Sequence, residues 1–336
     1  MKNIAIVGCG YWGPNLVRVF TELKNCCVKA ISDINEERMN IIYQKYPSIK
    51  KFQNYHDILK DKSIDAVVVA TNLLTHYKIA SDVLKCRKHL LIEKPITPSP
   101  NEAETLVNLS QKYKRILMVG HTFLYNAGIR KLKEYISNRE IGNLLYLHAI
   151  RTNLGPIRKD ANALWDLASH DVSIFLYLLD TMPTEVSARG GVYIKKNVED
   201  VVFLTLTFPN GLIGHIHVSW LEPCKIRKLT LIGDKKMVVF DDINQLEPIR
   251  IYDKGVVKEK RYDTFGEFQL ILRDGDVVIP KIALSEPLKN ECSEFIEAIE
   301  NKKTPLSNGE FGLRVVKVLF AAQKSLKNCG KPERII

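Results

Sequence analysis

The chain has 336 residues, 46% of them hydrophobic and 26% charged, with a formal net charge of +11; this exceeds what one hydrophobic core usually organises and excludes a disordered or collagenous chain, so two domains are expected. No run approaches about 18 consecutive apolar residues, and the N-terminus passes straight into strand-like sequence without a basic leader and cleavage site, so neither a membrane span nor a secreted product is expected, and the cytoplasm is the expected location. Lys and Arg are spread along the chain and not collected in a tail or stripe, so the charge does not read as nucleic-acid or membrane binding; it suits an anionic small substrate or simply a lysine-rich proteome.

From residue 1 to about 120, short apolar runs alternate with longer amphipathic stretches, the grammar of βαβ units on a parallel sheet. Strands are predicted at Ile4 to Val7, Val28 to Ile31, Ala66 to Val69, His89 to Ile92 and Ile116 to Val119, with helices such as Asn15 to Leu23 and Asn101 to Tyr113 between them. Past residue 120 the pattern changes. Helices are predicted at Ile129 to Ile136 and Trp165 to Leu179, then strands from Glu185 to Tyr252, with Asn210-Gly211 as a type I′ hairpin turn. Amphipathic helices return at Leu288 to Ile299 and Phe311 to Leu326, which makes the second half an α+β domain, an open and mostly antiparallel sheet with helices on one face. Seven cysteines (Cys9, Cys26, Cys27, Cys86, Cys224, Cys292, Cys329) form no CxxC pair, so they read as reduced, buried small hydrophobes.

The first strand runs directly into Gly8-Cys9-Gly10-Tyr11-Trp12-Gly13, which opens a helix. Gly8 permits the tight turn, Gly10 lets the backbone approach a pyrophosphate, and Gly13 lets helix and strand pack closely, with the helix N-terminus aimed at the phosphates. Pro14 suits the first helical turn. Asp33 lies twenty residues after Gly13, at the end of the second strand. There a carboxylate accepts hydrogen bonds from the adenosine ribose and repels a 2′-phosphate, so NAD is expected over NADP; the same residue would also serve as a helix N-cap. Glu93-Lys94-Pro95 follow the carboxyl end of a strand, where ligands of open α/β sheets collect, although spacing alone also allows a plain loop lysine.

In the second half, Trp165-Asp166-Leu167-Ala168-Ser169-His170-Asp171 open an amphipathic helix. Asp166 and His170 are four apart and share a helical face, while Asp171 points elsewhere. A carboxylate beside an imidazole fixes its tautomer and raises its basicity, as a proton-abstracting group requires; an exposed polar pair is the plainer alternative. The polar loop from Arg151 through Asn153, the Gly155-Pro156 turn, Arg158, Lys159 and Asp160 to Asn162 leads into this helix. Its two arginines suit a phosphate or carboxylate, against the alternative of a solvated loop. His215 and His217 share one face of a strand, but no third ligand is evident and no metal is expected.

The Glu-Lys-Pro tripeptide, about eighty residues after this glycine fingerprint, resembles the signature of the glucose-fructose oxidoreductase, inositol dehydrogenase and rhizopine catabolism (Gfo/Idh/MocA) family, and the similarity runs over essentially the whole chain. The resemblance implies an NAD-binding Rossmann domain over residues 1–120 and a substrate-binding and oligomerisation domain over 121–336, assembled as a homodimer or homotetramer. It implies Lys94, His170 and Asp166 as the catalytic trio. Cofactor contacts are expected at Gly8, Gly10, Tyr11, Trp12, Gly13, Asp33, Thr71, Asn72, His76, Glu93 and Lys94. Members carry Thr-Pro before a histidine in the loop that holds Thr71 to His76; here Asn72 replaces the proline, and His76 is either a cofactor contact or a helix-start residue.

Substrate contacts are expected at Lys94, Arg151, Asn153, Arg158, Asn162, Asp166 and His170. The Arg151 to Asn162 loop, Trp165-Asp166-Leu167 and the Tyr11-Trp12-Gly13-Pro14-Asn15 variant of the glycine loop are similar to the subgroup that oxidises UDP-N-acetylglucosaminuronate at the sugar 3-position in surface-polysaccharide pathways. A dehydrogenase or reductase of a free polyol or a dTDP-keto-sugar is the alternative, and an NAD-sensing regulator without chemistry a further one.

Overall fold

The computed structural model describes residues 1–155, 157–158, 161–257 and 271–336. The chain divides into two compact units that are not consecutive in sequence: residues 1–126 with 285–320, and residues 127–284 with 321–336.

The first unit is built on a six-stranded parallel sheet. Its strands are β1 (Lys2–Val7), β2 (Cys26–Ser32), β3 (Lys50–Phe52), β4 (Ala66–Val69), β5 (His89–Glu93) and β6 (Leu117–Gly120), in the order β3-β2-β1-β4-β5-β6. Between them run α1 (Gly13–Glu22), α2 (Glu36–Lys45), α3 (Tyr55–Lys60), α4 (Leu73–Lys85) and α5 (Pro100–Lys112). Central strands such as Ala66–Val69 are aliphatic throughout because both faces of the sheet are buried. The order reverses between β1 and β4, and that switch point opens a crevice beyond the carboxyl ends of the strands. Asn35 and Asn54 cap α2 and α3, each accepting a backbone N–H through its side-chain oxygen.

The second unit begins with α6 (Ala127–Ser137) and carries β7 (Leu144–Leu154), α7 (Ser169–Leu179), β8 (Glu185–Gly191), β9 (Val201–Thr207), β10 (Ile213–Ser219), β11 (Leu221–Gly233), β12 (Met237–Asp241), β13 (Ile249–Val257) and β14 (Ile271–Val278). Later in the chain come α8 (Pro287–Asn301) and α9 (Gly309–Lys327), of which α8 and the greater part of α9 belong to the first unit, and β15 (Glu333–Arg334), which belongs to the second. Among the described residues the second sheet has nine strands, in the order β14-β13-β12-β11-β7-β10-β9-β8-β15. All its neighbours are antiparallel except β7 and β10, which a long crossover through α7, β8 and β9 brings side by side. The β9–β10 hairpin turns at Asn210 and Gly211, both at positive φ (70° and 76°). Thr207 pairs with Ile213 and the Gly211 N–H donates to Phe208 O, so Pro209 joins the loop and the turn is a three-residue one and not the two-residue type I′ turn expected. Leu204, Leu206, Ile216 and Val218 face a buried layer; a Cβ on Gly214 would meet the ring of Phe175 on α7.

Three expectations need correcting. Residues 285–320 pack with the first unit, not with the 121–336 domain to which the sequence reading assigned them. Apolar periodicity reveals that α8 has a buried face (Leu288, Cys292, Phe295, Ile296) but not what covers it. Phe295 meets Phe20 of α1 edge to face at 6.4 Å, Arg18 of α1 pairs with Glu286, and the N–H of Val119 donates to Ser307 O at 2.7 Å. The predicted helix from Trp165 to Leu179 is a π-helical turn over Leu164–Ala168 followed by α7. Not all the cysteines are buried: Cys9, Cys26 and Cys292 are, whereas Cys86, Cys224 and Cys329 are exposed, and all seven are free thiols.

Candidate active site

In the first unit the glycine loop follows β1 at the switch point. Gly8 sits at φ +101°, and a Cβ there would lie 2.5 Å from the carbonyl oxygen of Ala70; one on Gly13 would press into the carbonyl of Gly8. Gly10 differs: its missing Cβ would point into open space, with only the Arg38 guanidinium nearby at 3.9 Å. The first and third glycines therefore serve protein packing, and the second leaves a cradle for a ligand. Tyr11 is 93% exposed and stacks on Trp12 with ring centroids 6.4 Å apart.

Asp33 fastens this loop. One carboxylate oxygen accepts the N–H of Cys9 at 2.7 Å and the other the N–H of Asn35 at 2.8 Å. The N-cap alternative falls to Asn35, which accepts from the Arg38 N–H at 3.2 Å. Burial, with the Asp33 charge beside it, pushes the Cys9 thiol up to about 12, so it is chemically quiet. The open cradle at Gly10, the N-terminus of α1 and the acid at the end of β2 fit a dinucleotide, which Gly8, Gly10, Gly13 and Asp33 would hold.

At the carboxyl ends of β5 and β6 lies a buried polar cluster. Glu93 lies across from Gly120, where a Cβ would come 3.1 Å from its carboxyl oxygen, and it accepts the Lys94 N–H at 3.3 Å. Burial raises Glu93 to about 7 against the opposing charge of Lys94. His121, directly after β6, is 1% exposed, and neither ring nitrogen has a hydrogen-bond partner among the described residues. Burial, and then the Lys94 charge, pull its imidazole down to about 3, so it is neutral. Thr122 donates to the buried Glu291 of α8 at 2.8 Å, and burial with the nearby Glu93 holds that carboxyl well above the usual range. Sequence reading missed His121 and Glu291. Val119-Gly120-His121 carried a usable signal, a polar residue just past a strand's carboxyl end; Glu291, on a helix some 170 residues away, carried none.

His76 departs from its expected role. It is buried in the first turn of α4, with Nδ1 2.9 Å from the carbonyl of Pro95 and Nε2 3.2 Å from that of Thr71. It therefore straps the loop after β4 to the loop after β5 from the start of a helix. Thr71 accepts from the Thr75 hydroxyl at 2.8 Å, and Asn72 is exposed at the start of α4.

In the second unit Asp166 lies on the π turn. Its Oδ1 accepts from Nη1 of Arg158 at 3.1 Å and its Oδ2 from the indole N–H of Trp220 at 3.3 Å. Arg158 keeps its side chain 38% exposed. Two expected substrate contacts are corrected. Arg151 forms a two-pronged ion pair with Asp171, at 2.8 and 2.9 Å, with side chains 7% and 5% exposed, so its charge is spent inside the unit. Asn162 donates to Glu199 at 2.6 Å and Gln323 at 2.9 Å and accepts from the Trp165 N–H at 3.1 Å, so it holds the π turn. Asn153 lies partly exposed near the end of β7. Pro156, Lys159 and Asp160 of the same loop lie outside the described residues. Among the described residues no group of three or more His, Cys, Asp or Glu is arranged to hold a metal, and no helix is long and apolar enough to cross a membrane.

A 3-2-1-4-5-6 parallel sheet with a glycine turn at the switch point and an acid after β2 defines a dinucleotide-binding unit. Residues 2–121 match the "Oxidoreductase family, NAD-binding Rossmann fold" and residues 129–239 the "GFO/IDH/MocA C-terminal domain". The chain belongs to the Gfo/Idh/MocA family of NAD-binding oxidoreductases. Myo-inositol 2-dehydrogenase of Thermotoga maritima is 24% identical, over 99% of this chain and 99% of its own. UDP-N-acetylglucosamine 3-dehydrogenase of Acidithiobacillus ferrooxidans is 24% identical over 93% of each chain. Its solved structure superposes with a TM-score of 0.81 at 22% identity, over 97% of this chain and 98% of that one. GenD2 from gentamicin A biosynthesis, solved in complex with NAD, has a TM-score of 0.83 at 22% identity, over 100% and 96%.

Proposed function

We propose that this enzyme oxidises a secondary hydroxyl of a nucleotide sugar, at the 3-position of a UDP-N-acetylglucosaminuronate-like substrate, in surface-polysaccharide biosynthesis in the cytoplasm. The observation that carries the reading is Arg158, a half-exposed cation bonded to Asp166 at 3.1 Å, which couples an anion-recognising side chain to a proposed catalytic carboxylate. The 24% identical UDP-N-acetylglucosamine 3-dehydrogenase supports a nucleotide sugar. An inositol-like polyol is the second reading, favoured by the Thermotoga relative that matches over 99% of both chains.

In this reading His170 removes the hydroxyl proton, Asp166 orients His170, and Lys94 donates a hydrogen bond to the oxygen as negative charge develops. Bound NAD supplies the hydride acceptor. Asn153 and Arg158 contact the substrate. The outer face of the second sheet, with Tyr146, Phe203 and Ile213 half exposed, is offered as the surface of a homodimer or homotetramer. A thermal-shift panel with NAD present, comparing UDP-sugars, dTDP-sugars and free polyols, tests the substrate; a free polyol stabilising and turning over better than any nucleotide sugar replaces the first reading with the second. With the true substrate, Lys94→Ala and His170→Ala each lower turnover by about two to four powers of ten while NAD binding survives. Near-normal turnover in either variant removes that residue from the mechanism.

A further inference from the structure

Basic residues that lie scattered along the sequence are gathered by the fold at one place. Parallel strands start at a common edge, so Lys2 at the start of β1, Lys88 and His89 at the start of β5, and Arg115 just ahead of β6 share the edge opposite the one where the glycine loop leaves β1. With Lys62 and Arg87 they line a cavity of about 520 Å³, the size of a small-ligand pocket. Asp65, the acid in this lining, already accepts the N–H of Asn3 at 2.8 Å, and Lys60 on the rim is paired with Asp57. The side chains of Lys2 and Lys62 make no hydrogen bond or ion pair among the described residues. The buried Lys88 donates to the carbonyls of Asp61 and Ile64, at 2.6 and 2.9 Å, and forms no ion pair, although the charges of Asp61 and Asp65 act on it.

His89 and Arg115 give the site its polarity. The Nδ1 of His89 accepts the N–H of Ile116 at 3.0 Å, and burial beside Arg115 and Lys2 keeps the ring neutral, pulled down to about 4. A neutral imidazole whose Nδ1 accepts must carry its proton on Nε2. That N–H stands 3.3 Å from Nη1 of Arg115, so donor faces donor. The Nε of Arg115 is also buried without a partner. An anionic oxygen seated against the pair accepts from both and resolves the mismatch.

We propose that this edge of the first unit is an anion site separate from the glycine loop, which takes a small ligand bearing two or more phosphoryl groups. Arg115 and His89 grip one phosphoryl oxygen, and Lys2 and Lys62 neutralise the neighbouring group. A single carboxylate would leave most of the charge of Lys2, Lys62, Arg87, Lys88 and Arg115 uncompensated against Asp65; a diphosphate comes close to matching it.

Inorganic pyrophosphate is the probe, titrated calorimetrically at fixed, near-physiological ionic strength into protein already saturated with NAD, so that the glycine loop is filled. One saturable site is expected. Arg115→Gln weakens it about tenfold or more, Lys62→Gln by a smaller factor, and inorganic phosphate binds at least about tenfold more weakly than pyrophosphate, while NAD affinity is unchanged. The exposed Lys62, reversed to Glu, decides the matter if Arg115→Gln does not fold. Lack of saturable uptake, unchanged affinity in these variants, or an equal loss in the second-unit control Lys196→Gln overturns the proposal. So does a single-stranded oligonucleotide that displaces pyrophosphate with higher affinity and the same dependence on Arg115, which would assign the surface to nucleic acid.

Discussion

Asp33 has two tasks at once. Its carboxylate accepts the N–H of Cys9 and that of Asn35, so it shapes the glycine loop as well as offering its remaining lone pairs to a ribose. Asp33→Ser is therefore expected to weaken NAD about tenfold or more and to narrow its advantage over NADP, by loosening the loop and by removing the repulsion of a 2′-phosphate. Calorimetry with both cofactors checks this; wild-type protein that binds NADP as tightly as NAD contradicts it. His121 yields a prediction on stability. Its imidazole is neutral in the folded chain down to about pH 3, whereas in the unfolded chain it takes a proton below about 6.5. Between those values the unfolded state binds more protons, so stability is full above pH 6.5 and falls as the pH drops towards 3, by about 4 to 5 kcal/mol. Glu93, raised to about 7, pulls the other way: its unfolded state releases the proton first, so its contribution declines from about pH 4.5 up to 7. The difference between wild type and His121→Gln in urea unfolding across pH 4 to 7 isolates the histidine. A pH-independent difference means that His121 is not held neutral.

At the scale of elements, β7 and α7 are tied by the buried Arg151–Asp171 pair. Removing one partner strands a charge in the interior, so Arg151→Ala or Asp171→Ala is expected to cost about 3 to 5 kcal/mol. A variant that keeps its urea midpoint while the Michaelis constant rises returns Arg151 to the substrate. The sequence could not announce this pair, because twenty residues and two different elements separate its members. It announced the first sheet well, since strands buried on both faces read as unbroken aliphatic runs. The three-residue β3 escaped: it lies at the sheet edge, and Lys50-Lys51-Phe52 has no apolar run. The π turn escaped because a 3.6-residue period runs through Leu164–Ala168 without a mark. Of the expected site, Gly8, Gly13 and Asp33 have backbone tasks that their positions in the sequence signal, and Gly10 stands between them with its Cβ side open; His76 and Asn162 hold loops in place, because polar residues near a crevice serve loops as readily as ligands.

At the scale of the molecule, the NAD-binding unit is assembled from two stretches far apart in the chain, residues 1–126 and 285–320. Phe295 on α8 packs fully buried against Phe20 on α1, so Phe295→Ala is expected to destabilise this unit by about 3 to 5 kcal/mol. Because NAD binds the folded unit, it should raise the lowered midpoint in proportion to the logarithm of its concentration. A weakened transition that ignores NAD would place Phe295 outside the unit that binds it. The same discontinuity bears on synthesis. A ribosome that has finished residue 126 must make nearly two hundred more before 285–320 have all emerged, roughly 10 to 40 s at ordinary elongation rates. Throughout that interval the nascent sheet waits with the surface around Phe20 uncovered, a natural hold for chaperones and the point at which crowded overexpression would lose protein to aggregates.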